Sequence, residues 1–271
     1  MERRALLVSH HAKAEVLGPV WAQYGWELAE VDLDTDVLGT FSGDVPRRWP
    51  PLETARRKAL LGRAHGDAPW LAASEGSVSA DPFAPARASE IVVLVARSGE
   101  PLIAGFAASE AVEVTSMRVM PDTREQDIVA TAQRGLRGGH HLMVSRPDRR
   151  RRAIGALAAP DQVLSACRQL GRDAELLVQT DWRAHLCPSR RPLLEDAARD
   201  LLARFDTPCP SCGAPGFGPT EAIAGRRCAS CERPTNEPRG YRWGCPWCHV
   251  VRERLSHDSP VPASRCAWCN P

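Results

Sequence analysis

Cys209-Pro-Ser-Cys212, Cys228-Ala-Ser-Cys231, Cys245-Pro-Trp-Cys248 and Cys266-Ala-Trp-Cys269 hold eight of the ten cysteines in a chain of 271 residues. A Cys-x-x-Cys turn aims two thiolates at one tetrahedral ion, and two such turns complete a four-sulfur zinc site. The knuckles carry turn residues, as in Cys209-Pro-Ser-Cys212-Gly213. The spacing therefore predicts two structural zinc sites in a double-ribbon module over residues 206–271. A sequential pairing and an interleaved one (first pair with third, second with fourth) both satisfy two metals. Disulfides would require a secreted chain, and the apolar run Ala5–Val8 behind Met1-Glu2-Arg3-Arg4 is too short for a signal segment.

A closed four-cysteine site has no open coordination position, so it holds a fold together and does not activate water. A segment this small buries little surface and needs such a staple. The chemistry is therefore expected in residues 1–205. A hydrophobic content of 43% suffices for a packed core there, and no stretch approaches the length of a membrane-spanning helix. A net charge of +2 gives no strong pull toward nucleic acid or membrane. The expectation is a soluble cytoplasmic protein, with Cys167 and Cys187 as ordinary thiols.

Working outward from the tail, strand and helix signals alternate. Ala5–Val8 reads as a buried strand, residues 12–24 as a helix and Trp26–Val31 as a second strand. Pro51–Leu61 reads as a helix with proline at its start. Leu71–Ala73 reads as a short strand ending at Ser74-Glu75-Gly76-Ser77, and Ile91–Ala96 with Leu102–Ala107 as a hairpin around Ser98-Gly99. Further strands are expected at residues 112–119, His141–Ser145 and Glu175–Gln179, and helices at Asp122–Arg134, Asp161–Leu170 and Arg191–Phe205. The mixture predicts an α/β domain on a mixed sheet. Asp32, Asp34 and Asp36 alternate, so a continuing strand would set all three on one face. The run Arg149–Arg152 reads as a solvated loop, with a phosphate or nucleic-acid contact as the alternative.

The 35 basic residues include only two lysines, Lys13 and Lys58. Lysine is a compact point charge and arginine a wide fork, so a tight phosphate pocket can demand one and reject the other. Lys13 follows Ser9-His10-His11 where a strand enters a helix, a place where backbone N–H groups and the helix dipole favour anions. Neither a P-loop nor a dinucleotide fingerprint is present. The second lysine lies in Glu53-Thr54-Ala55-Arg56-Arg57-Lys58-Ala59, and Glu75 stands beside a permissive glycine.

This order of elements resembles the inosine triphosphate pyrophosphatase-like superfamily, enzymes that hydrolyse non-standard nucleoside triphosphates. The resemblance implies that fold for residues 1–205, phosphate binding by Lys13 and Lys58 with His10 nearby, and catalytic roles for Glu53 and Glu75. It implies Mg2+ held by Glu53 and Glu75, with Asp36 as a third candidate ligand, and a nucleotide substrate releasing pyrophosphate. Thr54 stands where that family has asparagine, and Ser74-Glu75 replaces its paired aspartates. The whole chain is similar to a bacterial family, a domain of unknown function with a zinc-ribbon tail, through Asp34–Asp44, Ala73–Ser77, Thr180–His185 and the cysteine knuckles. The alternative is a non-enzymatic nucleic-acid-binding or adaptor protein. Arg226, Arg227, Arg239 and Arg242 mix with Tyr241, Trp243 and Trp247 in the tail, where arginines can grip phosphates while bases stack.

Overall fold

A computed structural model describes residues 1–10, 13–40, 45–79, 87–110, 112, 114–147, 152–256 and 259–270. The chain divides into two compact units, Met1–Leu202 and Ala203–Pro271. Among the described residues no helix is long and apolar enough to cross a membrane. Much of the arginine run, residues 149–151, lies outside the described residues, as do His11 and residues 41–44.

The first unit is mixed α/β. Its five-stranded sheet has the order β2-β1-β3-β4-β5, from β1 (Arg4–Ser9), β2 (Glu27–Asp32), β3 (Trp70–Ser79), β4 (Arg87–Ala96) and β5 (Leu102–Ser109). β1 pairs parallel with both β2 and β3, whereas β3, β4 and β5 are antiparallel neighbours. Helix α1 (Ala14–Gln23) links β1 to β2, and α2 (Pro51–Leu61) lies between β2 and β3. The chain thus leaves β1 to one side and returns to its other side. With right-handed crossovers the two helices then cover opposite faces. Leu6 of β1 with Leu71 and Ala73 of β3 packs against Ala55 and Ala59 of α2.

A second sheet in this unit, β6-β9-β7-β8, is antiparallel throughout. Its strands are β6 (Ser116–Val119), β7 (Leu142–Arg146), β8 (Arg152–Leu157) and β9 (Leu176–Thr180). Helices α3 (Glu125–Gly135) and α4 (Pro160–Leu170) cover it through a core that includes Ile128, Val144, Val163 and Val178. The domain therefore has two sheets where the sequence suggested one. The strand expected at residues 112–119 shortens to Ser116–Val119, and β8 was hidden behind the arginine run.

Two readings near the parallel strands are corrected. Glu75 is not at a strand end, because β3 continues to Ser79, paired with β4 from Trp70↔Ala96 to Ser79↔Arg87. Asp32, Asp34 and Asp36 do not share a strand face. β2 stops at Asp32, Asp34 accepts the Asp36 N–H at 3.0 Å, and Asp36 opens a 3-10 turn over Asp36–Leu38.

The second unit is built on a three-stranded antiparallel sheet of β10 (Gly218–Ala224), β11 (Pro238–Gly244) and β12 (Val251–Leu255). Its apolar centre is thin: Cys209, Phe217 and Cys245 are buried, with Trp243 and Val250 packed on them. Helix α5 (Arg191–Phe205) leads into it.

Candidate functional site

β1 pairs with β3 only from Ala5↔Trp70 to Leu7↔Ala72, so beyond β1 the edge of β3 is open. In open α/β sheets, ligands bind outside the carboxyl ends of strands where successive crossovers diverge. A cavity of about 230 Å³ occupies this position. Lys13 reaches it from the β1–α1 turn, Lys58 from α2, and Glu75 and Gly76 from the uncovered part of β3. Asp36 and Arg47 come from the segment after β2, and Gly155, Asp181, Arg183 and Arg190 from the second sheet and the chain that follows it.

Charge pairing inside the cavity is dense. Lys58 Nζ donates to Glu75 Oε2 at 2.6 Å, with both side chains buried. Arg47 Nη2 lies 3.2 Å from Glu75 Oε1, yet among the described residues that buried oxygen accepts no hydrogen bond. Arg183 forks onto Asp181, Nε to Oδ1 at 2.9 Å and Nη2 to Oδ2 at 2.5 Å. Burial alone would raise the Asp181 pKa, but Arg183 and the Ala156 N–H outweigh it and hold it below the usual range. Arg190 Nε donates to Glu90 at 2.8 Å, and its other nitrogens hold Glu90 and the Trp182 carbonyl.

Lys13 is the exception. Its ammonium donates to Ser74 Oγ at 2.9 Å, and among the described residues it has no carboxylate within ion-pair distance. Desolvation, and after it the like charge of Lys58, lowers its pKa from 10.5 to about 8. A cation set among protein atoms without a counter-ion is costly unless a ligand supplies the charge. The helix terminus itself is already occupied, since Glu30 Oε1 accepts the Lys13 N–H at 3.0 Å and the Ala14 N–H at 3.4 Å. Any anion here is thus met by the side chain of Lys13.

Gly76 lies opposite Glu90 in the β3–β4 register. A Cβ at this position would collide with Arg190 Nη2 and stand 2.7 Å from Glu90 Oε1. Gly76→Ala is therefore expected to break the buried Arg190–Glu90 pair and cost about 3 kcal/mol. A lowered thermal midpoint at unchanged zinc content checks this.

The residues singled out in the sequence separate. Lys13, Lys58, Glu75 and Asp36 line one cavity. Glu53 is not among its lining residues. It pairs with Arg57 at 2.6 Å and Arg56 at 3.7 Å, the i,i+4 and i,i+3 partners on its own helix. His10 also lies outside the lining, its Nδ1 2.8 Å from Asp32 Oδ1. Arg47, Arg183, Arg190 and Asp181 went unread. The Thr180–His185 stretch carried a signal for Asp181 and Arg183, whereas nothing distinguished Arg47 and Arg190 among 33 arginines.

In the second unit the cysteines form two sets, Cys209/Cys212/Cys245/Cys248 and Cys228/Cys231/Cys266/Cys269. The pairing is interleaved. Across the sites the Sγ–Sγ distances are 3.7 Å for Cys209–Cys248, Cys212–Cys245 and Cys231–Cys266, and 3.8 Å for Cys228–Cys269. A tetrahedron with Zn–S bonds of about 2.3 Å has edges of about 3.8 Å. Disulfide sulfurs would lie at about 2.05 Å. The two sets can bind two zinc ions.

Among the described residues these are the only groupings of three or more metal-ligating side chains. A magnesium ion in the cavity would have Glu75 and Asp36 as candidate carboxylate ligands, with Lys58 and Arg47 now facing the two Glu75 oxygens. Two carboxylates are what Mg2+ takes from a protein when ligand phosphates complete its shell.

A family model matches residues 62–271, from the end of α2 through the last cysteine knuckle. The chain belongs to DUF6671, a domain of unknown function. The match includes Glu75, Asp181, Arg183, Arg190 and all eight zinc-site cysteines, while Lys13, Asp36, Arg47 and Lys58 precede it. No curated protein and no solved structure matches the chain significantly.

Proposed function

We propose that the first unit hydrolyses nucleoside triphosphates or related phosphorylated nucleotides with a divalent metal, releasing pyrophosphate, and that the zinc module is structural. The observation carrying this reading is the Lys13 ammonium, without a carboxylate partner among the described residues, in a cavity also lined by Lys58, Arg47 and Glu75. Both lysines of an arginine-rich chain meet there. The resemblance to the inosine triphosphate pyrophosphatase-like superfamily gives those two lysines phosphate-binding roles. It belongs to this proposal at the level of fold as well as activity.

Lys13 and Lys58 bind and orient the phosphates, and their charges stabilise the negative charge that develops as the phosphoanhydride breaks. Arg47 adds a third donor. Glu75, once Lys58 and Arg47 turn to the phosphates, holds a water by a carboxylate oxygen and takes its proton as it attacks phosphorus. A bound Mg2+ would act as a Lewis acid on the phosphate oxygens. Arg183, clamped by Asp181, offers its remaining N–H donors to a polar group of the ligand at the other wall.

The test is product release from a panel of standard and damaged nucleoside triphosphates with Mg2+ or Mn2+. Pyrophosphate release, lost in Glu75→Gln, is expected. No turnover across the panel from folded, zinc-loaded protein would overturn the proposal.

Lys13 also fixes a pH dependence. Its folded pKa of about 8 lies below the ordinary 10.5, so between these values the unfolded chain keeps a proton the folded one has released. Stability therefore rises with pH across that window and is insensitive to Lys13 below it. Anion affinity runs the other way and falls as pH rises above about 8, where the ammonium discharges. Pyrophosphate titrations at pH 7 and pH 9 check the sign.

A second reading, nucleic-acid binding through the tail, is favoured by one feature. Trp268 is 67% exposed and carries the Arg233 guanidinium 4.6 Å from its ring centre. Charge opposes it. Residues 203–271 hold nine arginines and six carboxylates, a side-chain charge of +3. Two Zn2+ with eight thiolates contribute −4, so the loaded module stands at −1. Single-strand binding with a steep salt dependence would restore this reading.

A further inference from the structure

We infer that the cavity becomes a divalent-cation site only when an anion has entered it, because anion and metal exchange partners at Glu75. The inference rests on the phosphate-binding reading above and adds the order in which the site assembles.

Glu75 is a buried carboxylate of the cavity lining, 3% exposed, and both of its oxygens face cations. Oε2 takes the Lys58 ammonium at 2.6 Å and Oε1 faces Arg47 Nη2 at 3.2 Å. A divalent ion approaching this carboxylate meets two positive charges at contact distance, in a poorly screened site. The other cavity carboxylates do not replace it. Asp181 is spent on Arg183 and the Ala156 N–H, its Oδ1 at 2.9 Å from Nε and its Oδ2 at 2.5 Å and 2.9 Å from its two donors. Asp36 also lines the cavity, and among the described residues no third metal-ligating group joins it and Glu75. The free protein is therefore arranged to hold an anion and to repel a bare metal.

Entry of a pyrophosphate group reverses this. Lys13, which has no carboxylate partner among the described residues, gains a counter-ion, and Lys58 and Arg47 can turn from Glu75 to phosphate oxygens without losing an ion pair. The released Glu75 carboxylate, Asp36 and the phosphate oxygens then supply the oxygen shell that a hard cation requires. Lys58 and Arg47 are positioning residues in this exchange, and Glu75 is the ligand they hold in reserve. Such coupling is reciprocal: the anion must tighten metal binding by the factor by which the metal tightens anion binding.

The experiment uses the full zinc-loaded chain, Mn2+ followed by its effect on water relaxation, and inorganic pyrophosphate followed by calorimetry. Pyrophosphate is expected to bind without metal. It should tighten Mn2+ binding by about tenfold or more, after correction for the manganese–pyrophosphate complex in solution. Glu75→Gln is expected to bind metal-free pyrophosphate at least as tightly as wild type, since its competitor for Lys58 and Arg47 is gone, and to lose the synergy with Mn2+. Mn2+ binding to anion-free wild type as tightly as with pyrophosphate would mean a preassembled metal site and overturn the inference while leaving the phosphate reading intact. Failure of folded wild type to bind pyrophosphate at all would overturn both. Should Glu75→Gln not fold, the two wild-type manganese titrations still decide.

Discussion

Lys13→Met is expected to lower turnover by about two to three orders of magnitude, the usual cost of removing a donor that stabilises transition-state charge. Pyrophosphate affinity should fall at least about tenfold, because a hydrogen bond to a charged group contributes about 1.5–3 kcal/mol. The same substitution is expected to leave the fold as stable or more stable. Among the described residues the ammonium it removes has only the Ser74 hydroxyl as hydrogen-bond partner, and desolvation lowers its pKa. An unliganded structural lysine would give the opposite pattern, with loss of stability and unchanged affinity. Thermal unfolding and calorimetry on the two proteins separate these cases. The pH dependence of pyrophosphate binding near pH 8 should also disappear in the variant.

Cys228→Ser is expected to empty both zinc sites. The first set closes over Cys209 to Cys248 and encloses Cys228 and Cys231, while the second closes over Cys228 to Cys269 and encloses Cys245 and Cys248. Opening the second set releases the chain that carries β11 and β12 into the first. The buried apolar centre is too small to hold that chain, and structural zinc binding in small modules supplies about 10–16 kcal/mol of folding free energy. Metal analysis should give close to no zinc, with loss of the three-stranded sheet by circular dichroism. Retention of one tightly held zinc would show two independent sites and contradict the coupling.

Residue type announced the zinc ligands, since four Cys-x-x-Cys knuckles admit few other readings, but spacing left their pairing open. Only the sheet decides it, by bringing Cys209 to Cys248 and Cys228 to Cys269. The parallel strands and α2 were legible for local reasons, a short apolar run in β1 and proline at the start of α2. β3 was read too short because Ser74-Glu75-Gly76-Ser77 has turn composition, and the pairing with β4 that overrides it is non-local. Gly76 is there to make room for Arg190 and Glu90, a reason invisible along the chain. Lys13 and Lys58 stood out through their rarity. Arg47 and Arg190 did not, because an arginine among many carries no mark until the fold gives it a carboxylate.

The central claim is that the cavity beyond β1 receives the phosphates of a ligand. A crystal structure with inorganic tripolyphosphate tests it most directly. Phosphate density within hydrogen-bonding distance of Lys13 Nζ, Lys58 Nζ and the Arg47 guanidinium is the expected result, with Glu75 turned away from Lys58. Tripolyphosphate bound only at surface arginines, with Lys58 and Glu75 still 2.6 Å apart, would contradict it.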